Sequence, residues 1–263
     1  MRPHLVTIAH GTRTAAGNTV ARAITDAAAA RLGWSATPSY VELCAPLFTD
    51  VVAGPLPGPV VAVPLLLSVG VHVRHDLPGA VRDSGRDDVL LGSALGPDPL
   101  LAAAQADRLR ETGAHPGQPV VLVAAGSSDP DALADLDAAA GHLAHAWGSP
   151  VRVATLTGLG PRVTDVVRPG DAVSPYLLAT GYFHRRLAAA ARAAGADVVA
   201  DVIGPHRSVV DLVVTRALDA RIRLAREQRP QVELQQAGHP ADLQAGDPLD
   251  PVQPTAERVA VHV

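Results

Sequence analysis

LVTIAHGTR (Leu5–Arg13) and VLVAAGSSD (Val121–Asp129) decide how this chain folds. Each is a short apolar run that ends in a small turn and leads into an alanine-rich stretch. A strand buried on both faces of a parallel sheet reads as an almost unbroken apolar run, and the stretch behind it reads as a helix. The match continues beyond these openings. PSYVELCAP (Pro38–Pro46) corresponds to RVATLTGLGP (Arg152–Pro161), and VVAVPLLLSVGVH (Val60–His72) to DAVSPYLLATGYF (Asp171–Phe183). In the latter pair a glycine follows the proline by six positions, Gly70 after Pro64 and Gly181 after Pro175. SALGPDPLL (Ser93–Leu101) then corresponds to DVIGPHRSVV (Asp201–Val210).

The expected architecture is therefore α/β, with two similar duplicated lobes. Each lobe is a small parallel sheet flanked by helices, with a cleft between them. Each half reads as strand–helix–strand–helix–strand–strand–helix. Pro64 and Pro175 are expected near strand starts, where a missing donor is tolerated. The Gly- and Pro-rich TGAHPGQP (Thr112–Pro119) marks the boundary, giving lobes over 1–114 and 115–228. From 229 to 263 the chain is rich in Gln, Pro and Asp without periodicity and is expected to be a disordered tail. Its closing VAVHV could add to a sheet edge.

Composition narrows the function classes. No run reaches the roughly 18 apolar residues of a membrane helix, and MRPHLVTIAHG lacks the features of a secretion signal, so a cytoplasmic location is expected. Cys44 is the sole cysteine, which rules out an internal disulfide or an all-cysteine zinc site. A net charge of −4 argues against a general nucleic-acid binder. All 22 basic residues are arginine, so neither a Schiff-base lysine nor a lysine-dependent phosphate loop is possible. No G-x-S-x-G elbow is present. The Gly126-Ser127-Ser128 turn could accept an anion, but it stands alone.

Ligands of a parallel α/β sheet gather at the C-terminal ends of its strands. His10, Glu42 and His72 each lie just past such an end in the first half. Imidazole nitrogen and carboxylate oxygen suit first-row divalent ions such as Fe²⁺, Co²⁺ or Ni²⁺. Gly11 permits a sharp turn after His10, and Thr12 can cap the next helix. Arg13, Arg74 and His75 flank the histidines as candidate substrate contacts, because guanidinium forks suit carboxylates. Asp76 is expected to cap the helix that follows it. His142 and His145 read as a helical surface pair, His184 and His206 as incidental residues near the second lobe's ligand end, and Cys44 as a packed side chain.

The combination of LVTIAHGTR, ELCAP (Glu42–Pro46) and VPLLLSVGVHVRHDLP resembles the class II chelatase family, specifically sirohydrochlorin chelatases of the CbiX/SirB type. In fold and repeat the resemblance covers roughly Leu5 to Arg226; in functional motifs it covers the first half alone. It implies that His10 and His72 bind the incoming metal and assist removal of pyrrole protons, with Glu42 as third group. It implies a tetrapyrrole held between two lobes and insertion without ATP. It also implies Fe²⁺ or Co²⁺ as substrate and no organic cofactor. The second repeat departs from the pattern, with Ala125, Thr157 and Phe183 at the positions of His10, Glu42 and His72. One site per chain is expected, in a monomer whose second lobe replaces a dimer partner. Insertion of Fe²⁺ into sirohydrochlorin to give sirohaem is the leading expectation, and cobalt insertion toward cobalamin the alternative. A non-catalytic metal or tetrapyrrole carrier is the rival of another class. A two-lobe periplasmic-type binding protein is disfavoured by the lack of a secretion signal.

Overall fold

The structure, a computed structural model, describes residues 2–227. The region expected to be a tail, with its VAVHV segment, lies outside them. The first half runs β1 (His4–Ala9), α1 (Ala15–Leu32), β2 (Ser35–Tyr40), α2 (Phe48–Ala53), β3 (Val60–Pro64), a π-helical turn (His72–Asp76), α3 (Leu77–Asp83), β4 (Val89–Leu91) and α4 (Pro99–Glu111). The second repeats the plan with β5 (Val120–Ala124), α5 (Asp131–Trp147), β6 (Val151–Thr155), α6 (Val163–Val166), β7 (Ala172–Tyr176), α7 (Tyr182–Ala193), β8 (Val198–Val199) and α8 (Arg207–Glu227). The two four-stranded sheets have the orders β2-β1-β3-β4 and β6-β5-β7-β8, and every pairing is parallel.

Two expectations need correction. A helix stands between the third and fourth strands of each half, because parallel neighbours need a crossover and not a tight hairpin. Pro64 ends β3 instead of starting it. Pairing of β3 with β4 stops at Ala62–Leu91, so the missing N–H falls past the end of that ladder.

Alternation along the strands sorts side chains into three layers of core. Leu5, Val61 and Val63 point inward with Val120 and Leu122, into one apolar core shared by both sheets and by α1, α4, α5 and α8. Val6, Ile8, Val60 and Ala62 point outward and are covered by Phe48 and Val52 of α2 and Leu77 of α3. Val121, Val123 and Val173 do the same under Val163 of α6 and Leu187 of α7.

The last helix of each repeat crosses to the other lobe. Asp98 caps α4 by accepting from the Leu100 N–H at 2.9 Å, with Pro99 at the first helical position. From there α4 lies on the second sheet, where Gln105 donates to the Ser174 hydroxyl at 2.8 Å. In return α8 lies against the first lobe: Asp211 pairs with Arg31 of α1. Arg216 bonds the Ala94 and Leu95 carbonyls and the Asp98 carboxylate.

Candidate active site

β1 and β3 are neighbours in the sheet, while β2 lies on the other side of β1, so the chain reverses direction across β1. A crevice opens at such a point beyond the strands' C-terminal ends. His10 follows β1, Glu42 follows β2, and His72 opens the π-helical turn after β3. The loops that carry them are tied together by main-chain bonds. The Glu42 N–H donates to the His10 carbonyl at 3.1 Å, and Val41 N–H to Ala9 at 2.9 Å. Gly11 makes this approach possible. Its φ is +98°, and a Cβ placed on it would lie 2.0 Å from the Glu42 carbonyl oxygen.

The structure brings the three side chains together. His10 Nε2 lies 3.6 Å from Glu42 Oε1. The His10 and His72 rings meet edge to face with centroids 5.2 Å apart. His72 Nδ1 bonds Asp76 Oδ2 at 2.7 Å. A carboxylate can only accept, so the proton lies on Nδ1 and the Nε2 lone pair remains free for a metal. The side chains of His10 and Glu42 are about half exposed, at 50% and 51%. Among the described residues no group of three or more His, Cys, Asp or Glu is arranged so that it could hold a metal ion as it stands. The cluster offers two imidazoles and a carboxylate, donor types that suit first-row divalent ions.

Asp76 is thus a partner of His72 and not a helix cap, for it makes no side-chain capping bond at α3. Their i,i+4 spacing was the signal in the sequence. Thr12 does not cap α1 either. Thr14 holds the cap position, and Thr12 Oγ1 accepts from the Thr14 N–H at 3.3 Å.

Arg74 differs most from its expected role of substrate contact. Its Nε and Nη2 donate to the Val69 carbonyl at 3.1 and 2.7 Å. Its Nη2 and Nη1 also reach across to Asp129 at 3.0 Å and Asp131 at 2.6 Å in the second lobe. Two further bonds grip the same loop from that lobe. Val69 N–H donates to Asp135 at 2.7 Å, and the Tyr176 hydroxyl to the Leu67 carbonyl at 2.9 Å. Burial, reinforced by the charges of Asp135 and Asp98, raises the Tyr176 pKa and keeps the hydroxyl a donor.

Arg13 and His75 are exposed, three residues along the chain from His10 and His72 respectively. His206 is structural: its Nδ1 accepts from the Ser208 N–H at 3.2 Å, and its Nε2 lies 3.4 Å from Asp107 of α4. His184 lies on α7, 3.9 Å from Asp201. Desolvation lowers the pKa of both. Of the α5 pair, His142 is half-buried and His145 exposed. Cys44 packs against the shared core. In the Gly126-Ser127-Ser128 turn, Ser127 Oγ already accepts from the Asp129 N–H at 3.0 Å.

One feature beside the cluster has no counterpart in the sequence reading. Leu43 holds φ +68°, a left-handed conformation that costs a side-chain-bearing residue roughly 1–2 kcal/mol. Gly158 takes the same position in the second repeat, with φ +66°.

The CbiX family model matches residues 4–112 and 119–220, which takes in both repeats. The chain belongs to the CbiX family. Sirohydrochlorin ferrochelatase of Priestia megaterium is 31% identical over 134 residues, covering 45% of this chain and 50% of that protein. Its namesake in Bacillus subtilis (strain 168) is 32% identical over 137 residues, covering 46% and 52%. These matches span about half the length of either relative. A solved structure of SirB from Bacillus subtilis with Fe³⁺ superimposes with a TM-score of 0.70 at 26% identity, over 84% of this chain and 96% of that one. The duplicated fold is therefore the fold of this CbiX family relative along nearly its whole length.

Proposed function

We propose that this chain is a sirohydrochlorin ferrochelatase, a lyase that inserts Fe²⁺ into sirohydrochlorin to form sirohaem without ATP. The observation that carries the reading is the meeting of His10, Glu42 and His72 at the ends of three adjacent strands in a member of the CbiX family. Their nitrogen and oxygen donors hold the incoming ion, which is a substrate here. Insertion exchanges its bound water for ring nitrogens and releases two pyrrole protons to imidazole, carboxylate or water. A histidine cannot be ligand and base at once, so the three groups divide these tasks. Asp76 keeps His72 in one tautomer throughout. Arg13 and His75, which follow His10 and His72 by three residues each, are the candidates for the substrate's peripheral carboxylates.

Iron is preferred because both curated relatives are named ferrochelatases. Cobalt insertion is not favoured. The second lobe carries none of the three groups, so each chain has one site. No described helix is long and apolar enough to cross a membrane. The test is anaerobic metal insertion into sirohydrochlorin, followed by absorbance, with Fe²⁺ and Co²⁺ in parallel and His10→Ala as control. Many turnovers with Fe²⁺, lost in the variant, are expected. Stoichiometric binding that stops would identify a carrier instead.

A further inference from the structure

The second lobe carries a cavity that metal capture does not use. It lies between α7 and the end of β8 and has a volume of about 440 Å³. Arg185, Ala188, Ala189 and Arg192 line it from α7, and Val199, Ala200 and Asp201 from the facing segment. Residues three, four and seven positions apart share one face of a helix, so the two arginines bracket the two alanines on a single stripe. Seven residues separate them by about 10 Å along the helix axis. Small apolar side chains thus form the floor and one wall of a space with a cation at either end.

The protein does not balance these charges itself. Among the described residues no carboxylate pairs with Arg185 or Arg192, whereas Arg108, Arg110 and Arg152 are each paired with one. The acid on the cavity wall, Asp201, is 68% exposed, accepts from the Val202 N–H at 2.7 Å and stands 3.9 Å from His184 Nε2. His184 lines the cavity as well. Burial, with the charges of Arg192 and Arg185, lowers its pKa against the pull of Asp201. The imidazole is therefore neutral at pH 7 and offers one N–H donor. Both guanidinium charges reach the space beside this ring.

We propose that this cavity is a binding site for a small organic dianion, with a carboxylate or phosphate at each end of a short apolar body. Arg185 and Arg192 hold the two ends by charge-assisted hydrogen bonds, and Ala188, Ala189 and Val199 contact the body. Small-molecule sites are usually apolar pockets of roughly 300–1,000 Å³ with a few placed polar groups, and this cavity has that form. The site stands apart from the chelatase reading, since it uses none of His10, Glu42 and His72.

The test is calorimetric titration of the full-length chain at low ionic strength with three probes. Suberate carries carboxylates at the ends of a hexamethylene chain, hexanediol bisphosphate carries phosphates there, and inorganic phosphate is the single anion. The better of the two-ended probes is expected to bind at least about tenfold more tightly than phosphate, the factor that one more charge-assisted bond supplies. Arg185→Gln and Arg192→Gln should each remove about that factor. Arg186→Gln, which deletes the same charge beside the cavity without lining it, should leave the affinity within about twofold of wild type. Ala189→Phe, which fills the cavity and keeps both arginines, should abolish binding. All four positions are exposed, so the fold tolerates these changes. Failure of both two-ended probes to bind would overturn the proposal, as would phosphate binding as tightly as the better of them. Equal losses in Arg186→Gln, or unchanged affinity in Ala189→Phe, would overturn it too. The ranking of suberate against hexanediol bisphosphate tells a carboxylate ligand from a phosphate one.

Discussion

Arg74 should act as a latch between the lobes and not as a substrate ligand, and its removal should be felt at His72. The side chains of Arg74, Asp129 and Asp131 are 36%, 16% and 71% exposed. The Asp131 pair is largely in water and is worth about 0.2–1 kcal/mol. The Asp129 pair is better shielded, and a hydrogen bond to a charged group contributes about 1.5–3 kcal/mol. Arg74→Ala also strips two donors from the Val69 carbonyl. A total near 2 kcal/mol is reasonable, which for a chain of this size lowers the melting temperature by roughly 4–8 °C. Freed of its latch, the segment that carries His72 shifts. Displacing a reacting group by about 1 Å can cost 10²-fold, so a loss of about tenfold in kcat is expected. The assay is a double-mutant cycle of Arg74→Ala with Asp129→Asn, reading melting temperature, kcat and sirohydrochlorin affinity. A latch predicts strong non-additivity, with the double variant close to Arg74→Ala alone. Additive losses would refute it. So would tighter sirohydrochlorin binding in Asp129→Asn and Asp131→Asn, because a substrate-binding arginine would gain from losing its competing carboxylates.

Three other outcomes are expected. Asp76→Asn should lower Co²⁺ affinity and turnover roughly 10–100-fold with little change in melting temperature, because it frees the His72 ring to rotate and change tautomer. Gly11→Ala and Gly126→Ala should destabilise similarly, since a Cβ would lie 2.0 Å from the Glu42 oxygen in one case and 1.9 Å from the Thr157 oxygen in the other. Of the two only Gly11→Ala should abolish metal binding, which titration of both variants at a temperature where they remain folded would show. His4 is buried between the hydroxyls of Ser35 and Thr37, at 2.7 and 2.8 Å, and desolvation lowers its pKa. The unfolded chain therefore takes up protons first as pH falls below 6.5, and stability that is full above that value is lost as pH drops through the folded pKa. Melting curves between pH 7.5 and 5 should show the loss, and His4→Gln should flatten it.

Much of the fold was legible because buried parallel strands leave apolar runs that glycine terminates, and because the pattern occurs twice. The strand ends after Ala9, Tyr40 and Pro64 placed His10, Glu42 and His72 at one edge of one sheet. Most of what escaped had no local signal. HVRHD has no apolar periodicity, and the turn it forms is held through Arg74 by Asp129 and Asp131, more than fifty residues away. The exchange of α4 and α8 is equally non-local, since it follows from which sheet's inner face remains open after α1 and α5 are in place. The bond from His72 to Asp76 was readable from i,i+4 spacing, but the Leu77-Pro78 that follows Asp76 read as the start of a capped helix.

The duplication separates what the backbone does from what the side chains do. Around the first site, Glu42 N–H bonds the His10 carbonyl at 3.1 Å and Tyr40 N–H bonds Pro46 at 3.0 Å. In the second lobe Thr157 N–H bonds Ala125 at 3.0 Å and Thr155 N–H bonds Pro161 at 2.8 Å. The same main-chain bonding pattern at the strand ends thus occurs in both repeats. One copy presents imidazole, carboxylate and imidazole; the other presents a methyl, a hydroxyl and a phenyl ring. Loss of the polar set did not release the second lobe from the first site, because Asp129, Asp131, Asp135 and Tyr176 hold the loop that carries His72. Through those four contacts the second lobe, which carries none of the three groups, fixes the loop that bears His72. Leu43 and Gly158 complete the contrast, since the second lobe closes with a glycine the same left-handed turn in which the first holds a leucine.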